Sequence, residues 1–367
     1  MRSGSTGGVV QALRPGQPVD RLPHPRGESS ARIGRGSRAV VLGGTGFVGS
    51  AVARRLLADG FDVTVAARRA PRDPGRLAGA RVLTLDASDP TVHDELLEGA
   101  SAVVYAVGCL FPQESNASPL ADIQDSLTPL IHLLEALRRR PSVSLVFLSS
   151  GGTVYGNPRT LPVTEDHPTD PTTSYGILKL AAEKYIGMYR ELYGIDARVL
   201  RVANAYGPLQ PVGRGQGVVG VFLEQLLQGA PVTVFGAGRS VRDYVHVDDV
   251  ARAVSVSLTA AGPATLNVGT GVGTSLLQIV QLLEQITGRG ITVRHEPARG
   301  FDVESIVLDV SAYRALAGHD PVGLHAGLAA TYASAVEVAD LRRRGVPAAV
   351  PGGAPADASV AAAGRSR

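Results

Sequence analysis

Tyr175 and Lys179, in the run Thr-Thr-Ser-Tyr-Gly-Ile-Leu-Lys-Leu-Ala-Ala-Glu-Lys-Tyr (172–185), have the types and spacing to move a proton. A Thr/Ser cluster followed by Ala, Leu, Lys and Glu reads as a capped helix start. One turn apart on that helix, the two side chains face the same way. An ammonium beside a phenol favours phenolate, so the pair makes a tunable proton donor and acceptor. The plainer reading is a buried Tyr and a solvated Lys on an amphipathic helix. Composition weighs against it. Of 36 basic residues only Lys179 and Lys184 are lysine, so this chain writes Arg nearly wherever a cation suffices. A forked guanidinium cannot replace a compact ammonium that must reach ribose hydroxyls and a phenol together.

A second chemical signal is Gly43-Gly44-Thr45-Gly46-Phe47-Val48-Gly49. A short apolar strand at 38–42 precedes it, and helical periodicity at 50–58 follows. Strand, glycine turn and helix in that order are the context of a dinucleotide fingerprint. Gly43 permits the tight turn, Gly46 lets a phosphate approach the backbone, and Gly49 allows close helix–strand packing. The pyrophosphate then sits on the helix N-terminus, held by its N–H groups. A second strand at 62–66 leads into Ala67, Arg68 and Arg69. A site preferring NAD usually places an acid there for the ribose hydroxyls. A guanidinium instead attracts a 2′-phosphate, which leans towards NADP, while a solvated Arg pair serves either cofactor. The expectation is NAD(P).

The elements that must position these residues follow from the pattern. Strands are expected at 82–85, 145–149, 198–202 (the sixth parallel strand) and 267–269. Helices are expected at 218–228 and 276–287, with Asp248 and Asp249 capping another, and residues 312–316 and 324–336 finish the substrate lobe. Residues 120–140 read as one long helix with Leu127, Leu130, Ile131, Leu134 and Leu137 on one face. The fold class is α/β, a Rossmann-type doubly wound parallel sheet with a smaller C-terminal substrate-binding lobe. The nucleotide-binding domain spans 38–205 with returning segments at 243–270, and the lobe spans 206–242 and 271–340. Gly-, Pro-, Ser-, Arg- and Ala-rich ends at 1–37 and 341–367 read as disordered tails.

The Gly-x-x-Gly-x-x-Gly turn with the later Tyr-x-x-x-Lys resembles the extended short-chain dehydrogenase/reductase family. Within it, the likeness is to nucleotide-sugar epimerases and dehydratases of UDP-glucose 4-epimerase type, over residues 38–335. The resemblance implies that Tyr175 and Lys179 are catalytic. It also implies that Gly43, Gly46, Phe47, Val48, Gly49, Arg68, Asp86, Ala87, Ala106 and Lys179 line the cofactor, Asp86 meeting the adenine amino group. Asn204, Arg242 (in Gly236-Ala237-Gly238-Arg239-Ser240-Val241-Arg242-Asp243), Arg299 and Asp302 would bind the nucleotide diphosphate and nucleoside. Relatives often pack the 120–140 and Tyr175 helices against a twin subunit, so a homodimer is expected.

One position departs from the family. Relatives carry a Ser or Thr three residues before the Val of Val-Tyr-Gly, on the sugar oxygen that changes oxidation state. Here the run is Ser149-Ser150-Gly151-Gly152-Thr153-Val154-Tyr155-Gly156, with glycine at that place. Thr153 is the narrow choice to replace the hydroxyl and Ser150 the other. Dehydratases in the family use Asp-Glu where Gly152 and Thr153 stand, and decarboxylating relatives use Glu at the Thr153 place. Neither residue present moves protons near neutral pH, so both chemistries are disfavoured. The expected function is an NAD(P)-dependent nucleotide-sugar 4-epimerase working through a transient 4-keto sugar. An NADPH-dependent 4-ketoreductase and a catalytically silent dinucleotide-binding scaffold remain alternatives.

Bulk properties fit this reading. The net charge of +3 is carried largely by the Arg-rich ends, so no nucleic-acid partner is implied. A single cysteine, Cys109, excludes an internal disulfide framework. The eight histidines lack ligand spacing, so no metal is expected. No run is apolar enough to span a bilayer and no signal-peptide pattern opens the chain, which makes a cytoplasmic enzyme the expectation.

Overall fold

Short apolar runs buried on both faces build the sheet, as parallel sheets require. The computed structural model describes residues 33–71, 73–108, 112–210, 217–298, 300 and 303–343. Strand β1 (Arg38–Leu42) buries four consecutive residues. The other strands are β2 (Asp62–Ala67), β3 (Arg81–Thr84), β4 (Ala102–Tyr105), β5 (Ser144–Ser150), β6 (Ala197–Val202), β7 (Asn204–Tyr206), β8 (Val232–Phe235), β9 (Val241–His246), β10 (Thr265–Val268), β11 (Gly273–Ser275), β12 (Val293–Glu296) and β13 (Ser305–Ile306). Seven of them form a parallel sheet in the order β3-β2-β1-β4-β5-β6-β10. The chain winds outward from β1 to β3, then returns past β1 to β4. The crevice at the carboxyl ends of β1 and β4 is therefore the topological switch point, where such sheets take ligands.

Helices cover both faces. They are α1 (Phe47–Ala58), α2 (Val92–Leu96), α3 (Pro112–Ala117), α4 (Pro119–Asp122), α5 (Thr128–Arg138), α6 (Ser174–Tyr193), α7 (Val218–Leu227), α8 (Val247–Thr259), α9 (Leu276–Thr287), α10 (Ser311–Ala317) and α11 (Leu324–Arg343). On one face α1 and α8 pack together, joined by Tyr313 of α10. On the other, Leu130, Leu133, Leu134 and Leu137 of α5 and Ala182, Ile186 and Tyr189 of α6 fill the core. A third, separate core gathers Phe222 and Leu223 of α7, Val232 and Val234 of β8, Ile279 and Leu283 of α9, and Leu328 of α11. Beside it, β9 pairs with β7, β11 and β13, and β8 pairs with β12.

Several expected boundaries shift. Residues 33–37 are not a tail: Ile33 is buried against the first core, and Gly36 N–H donates to the Gly60 carbonyl at 2.8 Å. At the other end α11 runs through residues 341–343. Strands β7 and β9 belong to the smaller sheet, because they pair with each other, so the large sheet is left after residue 203 and regained through α8. Segment 303–317 returns to the large core, since α10 packs on α8 and β10. The 120–140 helix is α4 and α5 joined by a π turn at Ile123–Leu127. His246, not Asp248 or Asp249, caps α8, its Nδ1 accepting the Asp248 N–H. Among the described residues no helix is long and apolar enough to cross a membrane.

Candidate functional site

The helix carrying Tyr175 and Lys179 is anchored before it starts. Thr173 caps α6 by accepting the Gly176 N–H at 3.2 Å, which satisfies one of the unpaired first-turn donors. Asn116 on α3 accepts the Ser174 N–H at 2.8 Å, satisfying a second. From this fixed start Tyr175 sits half-buried and Lys179, 6% exposed, turns inward. The Lys179 ammonium donates to the Leu148 carbonyl at 2.9 Å. It lies 4.9 Å from the Phe147 ring centroid and 5.9 Å from that of Tyr175. A carbonyl and two ring faces thus compensate part of the desolvation of a buried cation. Helical spacing brings phenol and amine to one face, as their sequence separation requires.

Next to them, β5 ends in a tight turn. The Ser150 carbonyl accepts the Thr153 and Val154 N–H groups at 3.2 and 3.1 Å, and Gly151 N–H donates to Val202. A Cβ at Gly151 would come within 2.6 Å of Leu308 Cδ1 and 2.8 Å of the Arg201 carbonyl oxygen. The family's hydroxyl has no room there. Of the two candidates to replace it, Ser150 stands half-exposed at the strand tip. Thr153 packs against the first turn of α6, its Cβ 3.3 Å from where a Gly176 Cβ would stand. Its Oγ1 is buried and has no hydrogen-bond partner among the described residues. Asn204 Oδ1 lies 3.0 Å from the place a Cβ would occupy on Gly152, so this asparagine borders the same turn.

The glycine turn lies at the switch point. Gly43, at φ +78°, sits so close to β4 that a Cβ would approach the Ala106 carbonyl oxygen to 2.5 Å. A Cβ on Gly49 would collide with the Gly43 carbonyl, so α1 can close on the strand only with glycine there. Gly46 is the N-cap of α1, with no side-chain cap and no acidic residue in the first turn. Phe47 and Val48 follow, half-buried against the core. The helix start thus presents main-chain donors and positive dipole to a phosphate. A pyrophosphate fits these residues.

At the far end of the crevice, Asp86 accepts the Ser88 N–H and hydroxyl at 2.9 and 2.8 Å. Those bonds, and to a smaller degree Arg68, hold its carboxyl below the usual range. Ala87 is buried and its carbonyl meets His93 Nε2. Arg68 is exposed and pairs with the equally exposed Asp125 at 4.0 Å. Asp125 comes from the π turn and gave no signal in the sequence.

Arg242 extends from β9, its guanidinium donating to the Val241 and Glu304 carbonyls. It stands two residues along β9 from Tyr244, the partner of Asn204. Asn204 and Arg242 are therefore roughly 8 Å apart, offset by about 7 Å along paired strands about 5 Å apart. Arg299 and Asp302 lie outside the described residues, as do Cys109 and residues 211–216 of the loop before α7. Among the described residues, no three His, Cys, Asp or Glu side chains gather as a metal site would need. A buried network around Glu183 and Arg201 was not read from the sequence. Its signal was there, because Glu183 continues the Tyr175–Lys179 face by one more turn.

Comparison with known proteins bears on this arrangement. Residues 39–269 match the model of the NAD dependent epimerase/dehydratase family. The UDP-glucose 4-epimerase of Mycolicibacterium smegmatis is 34% identical over 306 residues, covering 80% of this chain and 97% of the relative. The crystal structure of UDP-glucose 4-epimerase from Thermotoga maritima with UDP-glucose superposes with a TM-score of 0.78 at 31% identity, over 82% of this chain and 99% of the other. That of the Thermus thermophilus enzyme in complex with NAD gives 0.76 at 31% identity, over the same shares.

Proposed function

Because the chain belongs to the NAD dependent epimerase/dehydratase family, we propose that it inverts C4 of a UDP-hexose, interconverting UDP-glucose and UDP-galactose with a resident NAD. The observation that carries this reading is the amine of Lys179, fastened to Leu148 and facing the Tyr175 ring, beside a turn that lacks the acid and base of a dehydratase. Gly152 stands at the first of those two positions, where a Cβ would come within 3.0 Å of Asn204 Oδ1. Epimerisation needs only one proton moved and moved back.

Tyr175 takes the proton from the sugar 4-hydroxyl, and the Lys179 charge stabilises the phenolate that receives or releases it. The dinucleotide, when bound, supplies a hydride acceptor that later gives the hydride back. Gly43, Gly46, Phe47, Val48 and Gly49 would hold its pyrophosphate, Asp86 and Ala87 its adenosine end, and Ala106 would border it from β4. Thr153, next to the first turn of α6, would hold the sugar oxygen once its buried hydroxyl, which has no partner among the described residues, turns toward the site. Ser150 is the alternative donor. Arg242, with Asn204 and with Arg299 and Asp302, anchors the nucleotide, leaving the 4-keto sugar free to present its other face. The third core, under α7, α9 and α11, is the lobe that carries this anchor.

The NAD held by the Thermus thermophilus relative, together with the pairing of Arg68 with Asp125, supports NAD over NADP. A 2′-phosphate meeting Arg68 would have to compete with the Asp125 carboxylate. A homodimer completes the reading. Ile177, Tyr185, Met188 and Leu192 form an exposed apolar stripe on α6, with exposed Leu120 and Ile123 from the adjoining α4 and π turn. Incubation of the purified protein with UDP-, dTDP- and GDP-hexoses, without added cofactor and read by NMR, tests the function. UDP-glucose and UDP-galactose should interconvert; stoichiometric consumption of added NADPH in its place would identify a reductase.

A further inference from the structure

Glu183 lies one turn of α6 beyond Lys179 and two beyond Tyr175, on the face that enters the protein. It is 9% exposed and is met by Arg201 of β6, 8% exposed. Arg201 Nη2 and Nε donate to Glu183 Oε2 at 2.8 and 3.1 Å, and Ser149 donates to Oε1 of the same carboxylate. The remaining arm of Arg201, Nη1, donates to the Tyr155 hydroxyl at 3.0 Å and to the Glu165 carbonyl at 2.9 Å. Tyr155 in turn donates to Asn267 Oδ1 at 2.6 Å. Burial pushes the Tyr155 phenol up, so it stays a neutral link in the chain. Burial opposes the charge of Arg201, and the Glu183 carboxylate more than offsets it.

A buried ion pair of this kind is weak evidence for stability, because apolar side chains of equal volume often serve as well. Its partners suggest another use. Ser149 follows Leu148, whose carbonyl holds the Lys179 amine, so α6 meets the tip of β5 through two directional bonds on adjacent strand residues. Apolar contacts between α6 and the sheet carry no such directionality. Tyr155 directly follows Val154, whose N–H closes the turn on Ser150 around Thr153. One guanidinium therefore grips both the helix that carries the proton-moving pair and the turn that carries the candidate hydroxyls.

We propose that Glu183 and Arg201 are positioning residues, a bidentate pair that fixes Lys179 and the 150–153 turn relative to each other for hydride and proton transfer. The proposal rests on the reading of Tyr175 and Lys179 as the catalytic pair. It calls for no contact of Glu183 or Arg201 with substrate or cofactor.

The chain holds two lysines, which makes a direct test possible. Lys179 is buried while Lys184, on the same helix, is exposed, so an amine-reactive reagent read by mass spectrometry reports the first against the second. In Glu183→Gln and Arg201→Met, labelling of Lys179 relative to Lys184 should rise at least about tenfold, since a broken buried pair strongly loosens its surroundings. Turnover per cofactor-loaded site should fall roughly 100-fold with little change in KM, as small misplacements of reacting groups do. The double variant should be no worse in kcat than the worse single one, the mark of two residues acting as a unit. Should either single variant fail to fold, Glu183→Asp and Arg201→Lys keep both charges and should show the same two changes in milder form. Labelling and kcat that both stay within about twofold of wild type in folded, loaded variants would overturn the proposal. If the wild-type protein turns over no nucleotide sugar, the catalytic reading falls, and the labelling ratio still decides whether the pair holds Lys179.

Discussion

A methyl group at residue 151 has nowhere to go, with Leu308 on one side and the Arg201 carbonyl on the other. Restoring the hydroxyl that relatives carry there should therefore harm this protein. Gly151→Ser is expected to cost about 1–3 kcal/mol of stability, the usual penalty of overpacking, and to lower kcat; urea unfolding and steady-state rates check both. A gain in kcat would show that the turn can open and that the missing serine matters. At Tyr175 the expectation is different in kind. Tyr175→Phe keeps the ring and the fold but removes the proton carrier, so kcat should drop by about 10²–10⁴ while cofactor stays bound. Absorbance of the purified variant and its turnover separate the two effects. These positions also show how much of the site was legible. Tyr175, Lys179 and the glycine turn could be read because short-range spacing alone places them. The 151 departure could be seen but not explained, since the groups that fill the space, Leu308 and the Arg201 carbonyl, lie far along the chain. Asp125 was invisible for the same reason, as its relation to Arg68 exists only after folding.

Elements were legible where one period runs unbroken. The strand at 38–42 was read to the residue because a short apolar run between turn signals has one outcome. The 120–140 helix was read without its π turn, since apolar spacing continues on both sides and a single wide turn leaves no compositional trace. Strands β7, β9 and β13 are not expected from the sequence, because short strands are defined by partners, not by their own pattern. The short helix α2 supports a prediction on pH. His93 is fully buried with Nε2 2.9 Å from the Ala87 carbonyl. Burial draws its pKa below the ordinary 6.5; the Ala87 bond counters this in part, and His132 adds to the lowering. A base with a depressed folded pKa binds its proton more readily when unfolded. Stability is thus intact above pH 6.5 and lost as pH falls below it, towards the folded pKa. The slope from this one group is at most about 1.4 kcal/mol per pH unit. Urea midpoints between about pH 7 and 5 should fall less steeply in His93→Gln than in wild type.

For the whole molecule, the exposed apolar stripe of α6 is the surface on which the proposed dimer would pair. Ile177→Glu with Met188→Glu should convert a dimer to a monomer in sedimentation velocity while leaving the far-ultraviolet spectrum unchanged; a wild-type monomer would contradict the pairing. Inside one protomer, hydride is expected to leave C4 of the sugar and return to it within a single residence. UDP-galactose carrying deuterium at C4 tests this most directly. The product UDP-glucose should retain the label at C4 when examined by NMR, with no cofactor added. Loss of the label to solvent, or its accumulation in released reduced cofactor, would contradict the account.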